Sequence, residues 1–112
     1  MNKPYNRTDR IAEELAHNAT EFLHDKLSEK WGIVTCTKVD LSDDLHSATI
    51  WLSFYPLLTD KNNIDKVIAP CKHELIQHLK KRVPTKYVPR FSFAVDVSGE
   101  DADRIEKLME KI

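Results

Sequence analysis

Glycine is scarce in this chain of 112 residues, which contains only Gly32 and Gly99. Loops that cradle phosphate with backbone N–H groups, such as G-x-x-x-x-G-K and G-x-G-x-x-G, need several closely spaced glycines. Two glycines far apart in the sequence form neither pattern. Nucleotide-dependent enzymes of these two classes are therefore excluded.

Long apolar runs and closely paired cysteines are also missing. No apolar run approaches the roughly 18 residues that span a bilayer, and the N-terminal stretch MNKPYNRTDR lacks the apolar core of a secretory signal. We therefore expect a cytoplasmic protein without a membrane partner, in which Cys36 and Cys71 stay reduced. The length and the lack of repeats predict a single domain over residues 1–112.

Catalytic and metal-binding patterns are weak. Cys71 lies near His73 and His78, but zinc sites use ligand pairs such as C-x-x-C or H-E-x-x-H, which the chain lacks. We interpret Cys71 as a buried apolar side chain beside solvent-facing histidines. Asp43 and Asp44 could hold a metal or act as acid and base, yet adjacent acids between two strands more often stabilise a turn. We expect no catalytic activity, no metal site and no cofactor.

The first half of the sequence predicts a helix and a hairpin. Thr8 or Asp9 is expected to cap a helix that ends at Trp31–Gly32. Its apolar residues recur at helical spacing: Ile11, Leu15, Ala19, Phe22, Leu23 and Leu27. A strand follows over 33–39, then a turn in LSDDLHS and an alternating strand in ATIWLSFY.

A proline interrupts the helical pattern of the second half. Apolar residues keep helical phase across Pro70: Ile64, Val67, Ile68, Cys71, Leu75, Ile76, Leu79 and Val83. VPTKYVP predicts a loop, and RFSFAVDV a third strand with four inward residues, Phe91, Phe93, Val95 and Val97. Ser98 and Asp101 are expected to cap a closing helix, with its stripe at Ile105, Leu108, Met109 and Ile112.

The predicted order is α-β-β-α-kink-α-β-α. It indicates an α+β fold with a three-stranded mixed sheet and helices packed on one face. The long helical crossover allows the third strand to run parallel to a strand of the hairpin.

Charge is concentrated in one segment. The net charge is −1, but residues 61–90 hold eight Lys or Arg against two acidic residues, a net +6, while residues 1–60 and 91–112 carry −4 and −3. Such asymmetry indicates one basic face on an acidic protein, suited to nucleic acid, or else a solvated lysine-rich helix.

This element order is that of a type II KH fold, although the chain has no G-x-x-G loop. Within that class the sequence resembles the ribosome-binding factor A family over nearly its whole length. The matching stretches are RTDRIAEEL, WGIVTCTKVDLSDDLHSATIWLSFY, VPRFSFAVDVS and the later Arg104-Ile105. The turn is the most specific part: the family runs valine-acid-leucine or methionine-Ser-x-Asp-Leu, and this chain has VDLSDDL at 39–45.

The resemblance implies a KH-like, non-catalytic assembly factor, linked to growth in the cold and to rRNA processing. It implies binding to the free or immature small ribosomal subunit through its 16S rRNA. The family's Ala-x-Gly kink aligns with Ala69-Pro70-Cys71, so Cys71 stands where the family has glycine. Proline is able to keep the break by another route, because it opposes a continuous helix and fits the first turn of a new one.

On this reading the RNA-binding residues are Lys66, Lys72, Lys80, Lys81, Arg82, Lys86 and Arg90. Helix N-termini at the Pro70 break would add partial positive charge for a phosphate. Arg7 and Arg10 form either a second RNA contact or pairs with the acidic first helix. Trp51 and Tyr55 share one strand face, which is either covered by a helix or open as a nucleotide platform.

The alternative from another class is a KH-like protein-interaction module that does not bind RNA. Its basic helix would dock on an acidic partner or on a second copy of the chain. We expect a monomer, and the salt dependence of rRNA binding separates the two functions.

Overall fold

A three-stranded sheet with helices on one face organises the part of the chain that the structure describes, residues 6–55, 63–85 and 88–96 of a computed structural model. The elements are α1 (Arg7–Trp31), β1 (Ile33–Leu41), β2 (Ser47–Tyr55), α2 (Ile64–Ile68), a 3₁₀ turn (Ala69–Cys71), α3 (Lys72–Arg82) and β3 (Arg90–Val95). This order confirms the prediction as far as the third strand. Val97 and the predicted closing helix from Ser98 lie outside the described residues.

The N-cap of the first helix lies two residues before Thr8 and three before Asp9, the two expected caps. Asn6 is the N-cap: its side chain accepts a hydrogen bond from the Asp9 N–H at 3.0 Å, and the Asp9 carboxylate accepts one from the Asn6 N–H at 3.1 Å. The prediction of a cap at Thr8 or Asp9 was wrong, because Asn caps a helix as well as Asp does and Asp9 is the third-position partner of the capping box. The predicted end is confirmed, since Gly32 caps α1 with φ of 78°.

The sheet has β2 at its centre. β1 and β2 are antiparallel, with Thr35 opposite Ser53. β2 and β3 are parallel, with Ile50 opposite Phe93. Both orientations confirm the prediction. β1 extends to Leu41, two residues beyond its predicted end, and bulges at Thr37.

Asp44 organises the turn between β1 and β2. One of its carboxylate oxygens accepts hydrogen bonds from the Ser42 hydroxyl at 2.6 Å and the His46 N–H at 3.0 Å. These bonds, the one from Ser42 first, lower the pKa of Asp44. Leu45 completes the reversal with φ of 63°. Asp44 therefore has the structural role in the turn that its position between two strands indicated.

The Asp44 turn predicts a pH-dependent loss of stability. Hydrogen bonding lowers the folded-state pKa of Asp44, so its carboxylate stabilises the fold above the unfolded value of about 3.9, and this contribution disappears as the pH falls through the lower folded value. We expect Asp44→Asn to be less stable than the parent at neutral pH, with the gap closing in acid. Urea unfolding at several pH values measures it. An equal gap at every pH would contradict the assignment.

The core lies between the sheet and the helices. The four alternating apolar residues of β2, at 48, 50, 52 and 54, are buried, as are the predicted inward residues Phe91, Phe93 and Val95 of β3. α1 contributes five buried residues at helical spacing: Ile11, Leu15, Ala19, Leu23 and Leu27. Phe22 is only partly buried beside them. Within the described ranges, no helix is both long and apolar enough to cross a membrane.

Candidate nucleic-acid interface

The break between α2 and α3 centres on Cys71. Ala69 keeps helical angles of −47° and −44°, whereas Cys71 departs from them with φ of −118° and ψ of 5°. Pro70 has no N–H to donate to the Lys66 carbonyl, so a continuous hydrogen-bond ladder is interrupted at this point. The angles at Cys71 are open to any L-residue. The turn therefore does not require the glycine that the resembling family has at this position.

The turn exposes one side and buries the other. Ala69 and Pro70 are exposed, while Cys71 is 6% exposed and belongs to the core with Ile68 and Leu75. Burial, followed by the negative charge of Glu74, raises the pKa of the Cys71 thiol. Burial also raises the pKa of Cys36 to about 11. Ligands can therefore reach Ala69 and Pro70 but not the thiol of Cys71.

Six of the predicted RNA-binding side chains are exposed, five of them on this pair of helices and Arg90 on the sheet face opposite them. We call them the basic set: Lys66, Lys72, Lys80, Lys81, Arg82 and Arg90. Lys66 lies on α2 and Arg90 opens β3, while the other four lie on α3. Lys72 and Lys80, eight positions apart in one helix, are separated by about 12 Å along its axis. Lys86, predicted with them, lies outside the described residues.

The positive charges of the basic set are not paired with acidic side chains among the described residues. Glu74 is the acidic residue of α3, and its carboxylate pairs with the ammonium of Lys26 on α1 at 3.0 Å. No member of the basic set makes an ion pair with another of the described residues. The positive charge of α3 is therefore directed to solvent, where phosphate groups can reach it.

The last turn of α3 also has a structural reason to be basic. Lys80, Lys81 and Arg82 lie next to the C-terminus of the helix, where the macrodipole is negative. The three cations therefore stabilise α3 even without a ligand. Experiments on this turn need a control that separates helix stability from binding.

Arg7 and Arg10 lie apart from the basic set, in the first turns of α1. The Arg10 guanidinium lies 3.5 Å from the carboxylate of Glu14, one turn along the same helix, and both side chains are exposed. This pair favours the interpretation in which Arg10 neutralises the acidic helix surface. Arg7 is exposed.

Trp51 and Tyr55 lie on the sheet face opposite the buried one. The Trp51 indole N–H donates to the Asp40 carboxylate at 3.0 Å, and the Lys38 ammonium lies 5.0 Å from the ring centre. Tyr55 is 60% exposed at the end of β2. The described helices pack on the other face, so Trp51 is held by Lys38 and Asp40 rather than by α1 or α3. Its ring is already occupied, which weighs against a nucleotide platform.

The two histidines of α3 differ. His73 is exposed, as expected, but the prediction of a solvent-facing His78 was wrong. The His78 ring lies 5.2 Å from the Phe22 ring of α1, and its buried Nε2 makes no hydrogen bond with any described residue. His78 follows Leu75 by three positions and so faces α1 with it.

An apolar groove of about 100 Å³ lies beside the last turn of α3. It is lined by Leu15, Leu79, Lys80, Val83, Pro84, Thr85, Val88, Pro89 and Phe91. The sequence did not lead us to expect a groove here, because VPTKYVP indicated only a loop. The available signal was the repeated Val-Pro pair, which places rigid apolar residues on both sides of a short polar stretch.

A comparison with known families decides what kind of protein this is. The family model described as ribosome-binding factor A matches residues 7–109. The chain belongs to the ribosome-binding factor A family. A relative from Thermodesulfovibrio yellowstonii, also described as ribosome-binding factor A, is 30% identical over 112 residues, which cover 98% of this chain and 93% of the relative.

Solved structures of ribosome-binding factor A show the same fold. The crystal structure from Thermus thermophilus has a TM-score of 0.65 at 17% identity, covering 80% of this chain and 94% of that one. A homology model of the Thermus thermophilus protein, fitted into a cryo-EM map of a 30S complex, has a TM-score of 0.63 at 16% identity and covers 79% and 93%. The fold of this family member is therefore KH-like, as predicted.

Proposed function

We propose that the chain is a ribosome assembly factor that binds the immature small ribosomal subunit through its 16S rRNA and assists its maturation. Membership of the ribosome-binding factor A family supports this proposal. So does the Thermus thermophilus relative, which is described in a complex with the 30S subunit. The observation that carries the proposal is the exposed basic set, whose members make no ion pair with another described residue, while Glu74 of α3 pairs with Lys26.

The basic set would bind RNA mainly through its phosphates. Lysine and arginine side chains that neutralise phosphates release bound counterions, so the affinity falls steeply with salt. Lys66 and Lys72 flank the exposed Ala69–Pro70 turn, and Lys80 to Arg82 extend the contact along α3. On this proposal the protein is a cytoplasmic monomer and has no catalytic activity. It acts by binding rRNA while the rRNA is processed, and this binding matters for growth in the cold.

Co-sedimentation with immature and mature small subunits over a series of salt concentrations tests the proposal. We expect binding to the immature subunit that weakens steeply as salt increases, because phosphate contacts dominate it. Weak binding with no salt dependence would contradict it and favour the protein-interaction module instead. Equal binding to both subunits would contradict the role in maturation while leaving ribosome binding intact.

Pro70→Ala tests the turn between α2 and α3. Alanine restores the N–H opposite the Lys66 carbonyl, so the two helices are free to merge across the turn. We expect lower affinity for small-subunit rRNA, with a change in stability below about 1 kcal/mol from the more flexible unfolded chain. Filter binding and thermal unfolding measure the two effects. Unchanged affinity and unchanged stability would show that Pro70 is not needed to maintain the turn for RNA binding.

A further inference from the structure

We propose that the groove beside the last turn of α3 receives one unstacked base of the bound RNA, with Lys80 next to the phosphate of that nucleotide. This inference rests on the proposed function, because RNA must first bind the basic set. It adds a contact to the base itself, where the basic set alone would contact only the backbone.

The groove has room for at most part of a single ring system. Its volume is about 100 Å³. Pockets for drug-sized ligands are larger, at roughly 300–1,000 Å³, whereas an apolar cavity of about 150 Å³ holds benzene. The floor is closed by Leu15 and Leu79, which are 2% and 1% exposed. A planar base that enters part of the way fills the groove without disturbing the core.

The walls of the groove are apolar and the rim is basic. Val83 and Pro84 follow α3 on one side, and Val88 and Pro89 precede β3 on the other. Val88 is 47% exposed, which leaves apolar surface at the mouth. Lys80 is the charged residue among the lining side chains. An apolar slot with a cation at its edge matches a nucleotide, whose flat base is joined to an anionic phosphate.

The charge around the groove favours RNA over a second copy of the chain or a basic protein segment. Lys80 lines the groove, and Lys81 and Arg82 follow it in the last turn of α3. A second copy that docked through the same surface would place these cations against its own, which costs energy. A basic protein segment would be repelled in the same way. A polyanion with unpaired bases is attracted to the rim and also buries apolar surface in the slot.

The chemistry of the walls predicts recognition of single-stranded RNA with little base preference. Aliphatic walls discriminate weakly between flat rings, because specific readout needs hydrogen bonds to base edges. A base in a duplex is stacked between its neighbours and cannot enter the groove, so the groove selects unpaired rRNA. Other sites with little sequence preference also bind single strands through the faces of the bases.

The test compares a short uridine oligomer with an abasic oligomer of the same length and charge. We expect the parent protein to bind the uridine oligomer about tenfold more tightly, as for other single-base contacts. NMR spectra should show the methyl groups of Val83 and Val88 shifting only with the uridine oligomer. Val88→Phe, which fills the mouth, should bring the affinity ratio close to one and leave the abasic affinity and the salt slope unchanged.

Ile33→Phe is the matched control, since Ile33 is similarly exposed at 56% but lies at the start of β1. It should keep the tenfold ratio. If the parent protein binds both oligomers equally, the groove proposal is overturned and the proposed function stands. The same conclusion follows if the parent binds the immature subunit but neither oligomer. Shifts of the Val88 methyl groups with protein concentration alone would overturn it in favour of self-association. If the parent protein shows no salt-dependent binding to any of these RNAs, both the groove proposal and the proposed function are overturned.

Discussion

Replacing Lys80, Lys81 and Arg82 together by glutamate is expected to lower the affinity for small-subunit rRNA by about two to three orders of magnitude at ~0.1 M salt. Each lost phosphate contact reduces the slope of log affinity against log salt by roughly 0.7–0.9. Losing three contacts therefore reduces the slope by roughly 2.1–2.7. The three side chains are exposed and without ion pairs among the described residues. Filter binding or fluorescence anisotropy over a salt series measures both the affinity and the slope.

The control for this charge reversal has to lose a similar amount of helix stability. Cations in the last turn of a helix each stabilise it by about 0.3–1 kcal/mol, so the triple variant will also unfold more easily. Lys30 occupies the last turn of α1 and is exposed. Lys30→Glu should lose at least as much stability as Lys81→Glu, because it also removes the contact of the Lys30 ammonium with the Trp31 ring, 5.5 Å from its centre. Only Lys81→Glu should lose affinity and salt slope. A salt slope that stays the same in the triple variant would contradict the assignment of these residues to RNA binding.

Leu75→Ala is expected to cause, with Leu79→Ala, the largest loss of stability among alanine substitutions in α3. Leu75 is fully buried where α3 faces the core. Truncating a buried leucine costs about 2–5 kcal/mol, because apolar contacts are lost and a cavity remains. Domains of this size are stable by only about 5–15 kcal/mol, so the variant loses a large part of its margin. Denaturant unfolding followed by circular dichroism measures the difference.

Ile76 provides the comparison for Leu75, since it is the next residue of the same helix and only partly buried. Ile76→Ala removes a similar number of carbon atoms but should cost clearly less. At a temperature where both variants are folded, each should keep the rRNA affinity of the parent, because neither side chain belongs to the basic set. Similar losses from both substitutions would show that the burial of Leu75 does not decide its contribution.

The sheet was the most predictable part of the fold, for a physical reason. Strict alternation in ATIWLSFY assigns one face to the core, and a shift of one residue would expose every apolar side chain. The register was therefore determined locally, and Ile50 and Leu52 are fully buried as a result. Helix ends are less determined, because Asn6, Thr8 and Asp9 are all competent caps and the choice depends on hydrogen bonds between near neighbours.

The candidate site was predicted in composition but not in detail. The eight basic residues of segment 61–90 are visible in the sequence, and helical spacing predicts the exposure of those in α2 and α3. The pairing of Glu74 with Lys26 was not visible, because it joins two helices far apart in the chain. The groove and the contact between His78 and Phe22 were missed for the same reason, since both depend on how α1 packs against α3.

The parallel pairing of β2 with β3 has a consequence for when the protein becomes competent during its own synthesis. Thr49 and Ser92, which are hydrogen-bonded across these strands, are 43 residues apart, and α2 and α3 lie in the crossover between them. Such distant contacts form late, after the intervening chain is available. Until β3 has been made and paired, the lysines of the crossover exist but have no fixed arrangement. A nascent chain that lacks β3 would then carry the positive charge of the crossover without its arrangement, which would form only after β3 has been made and paired.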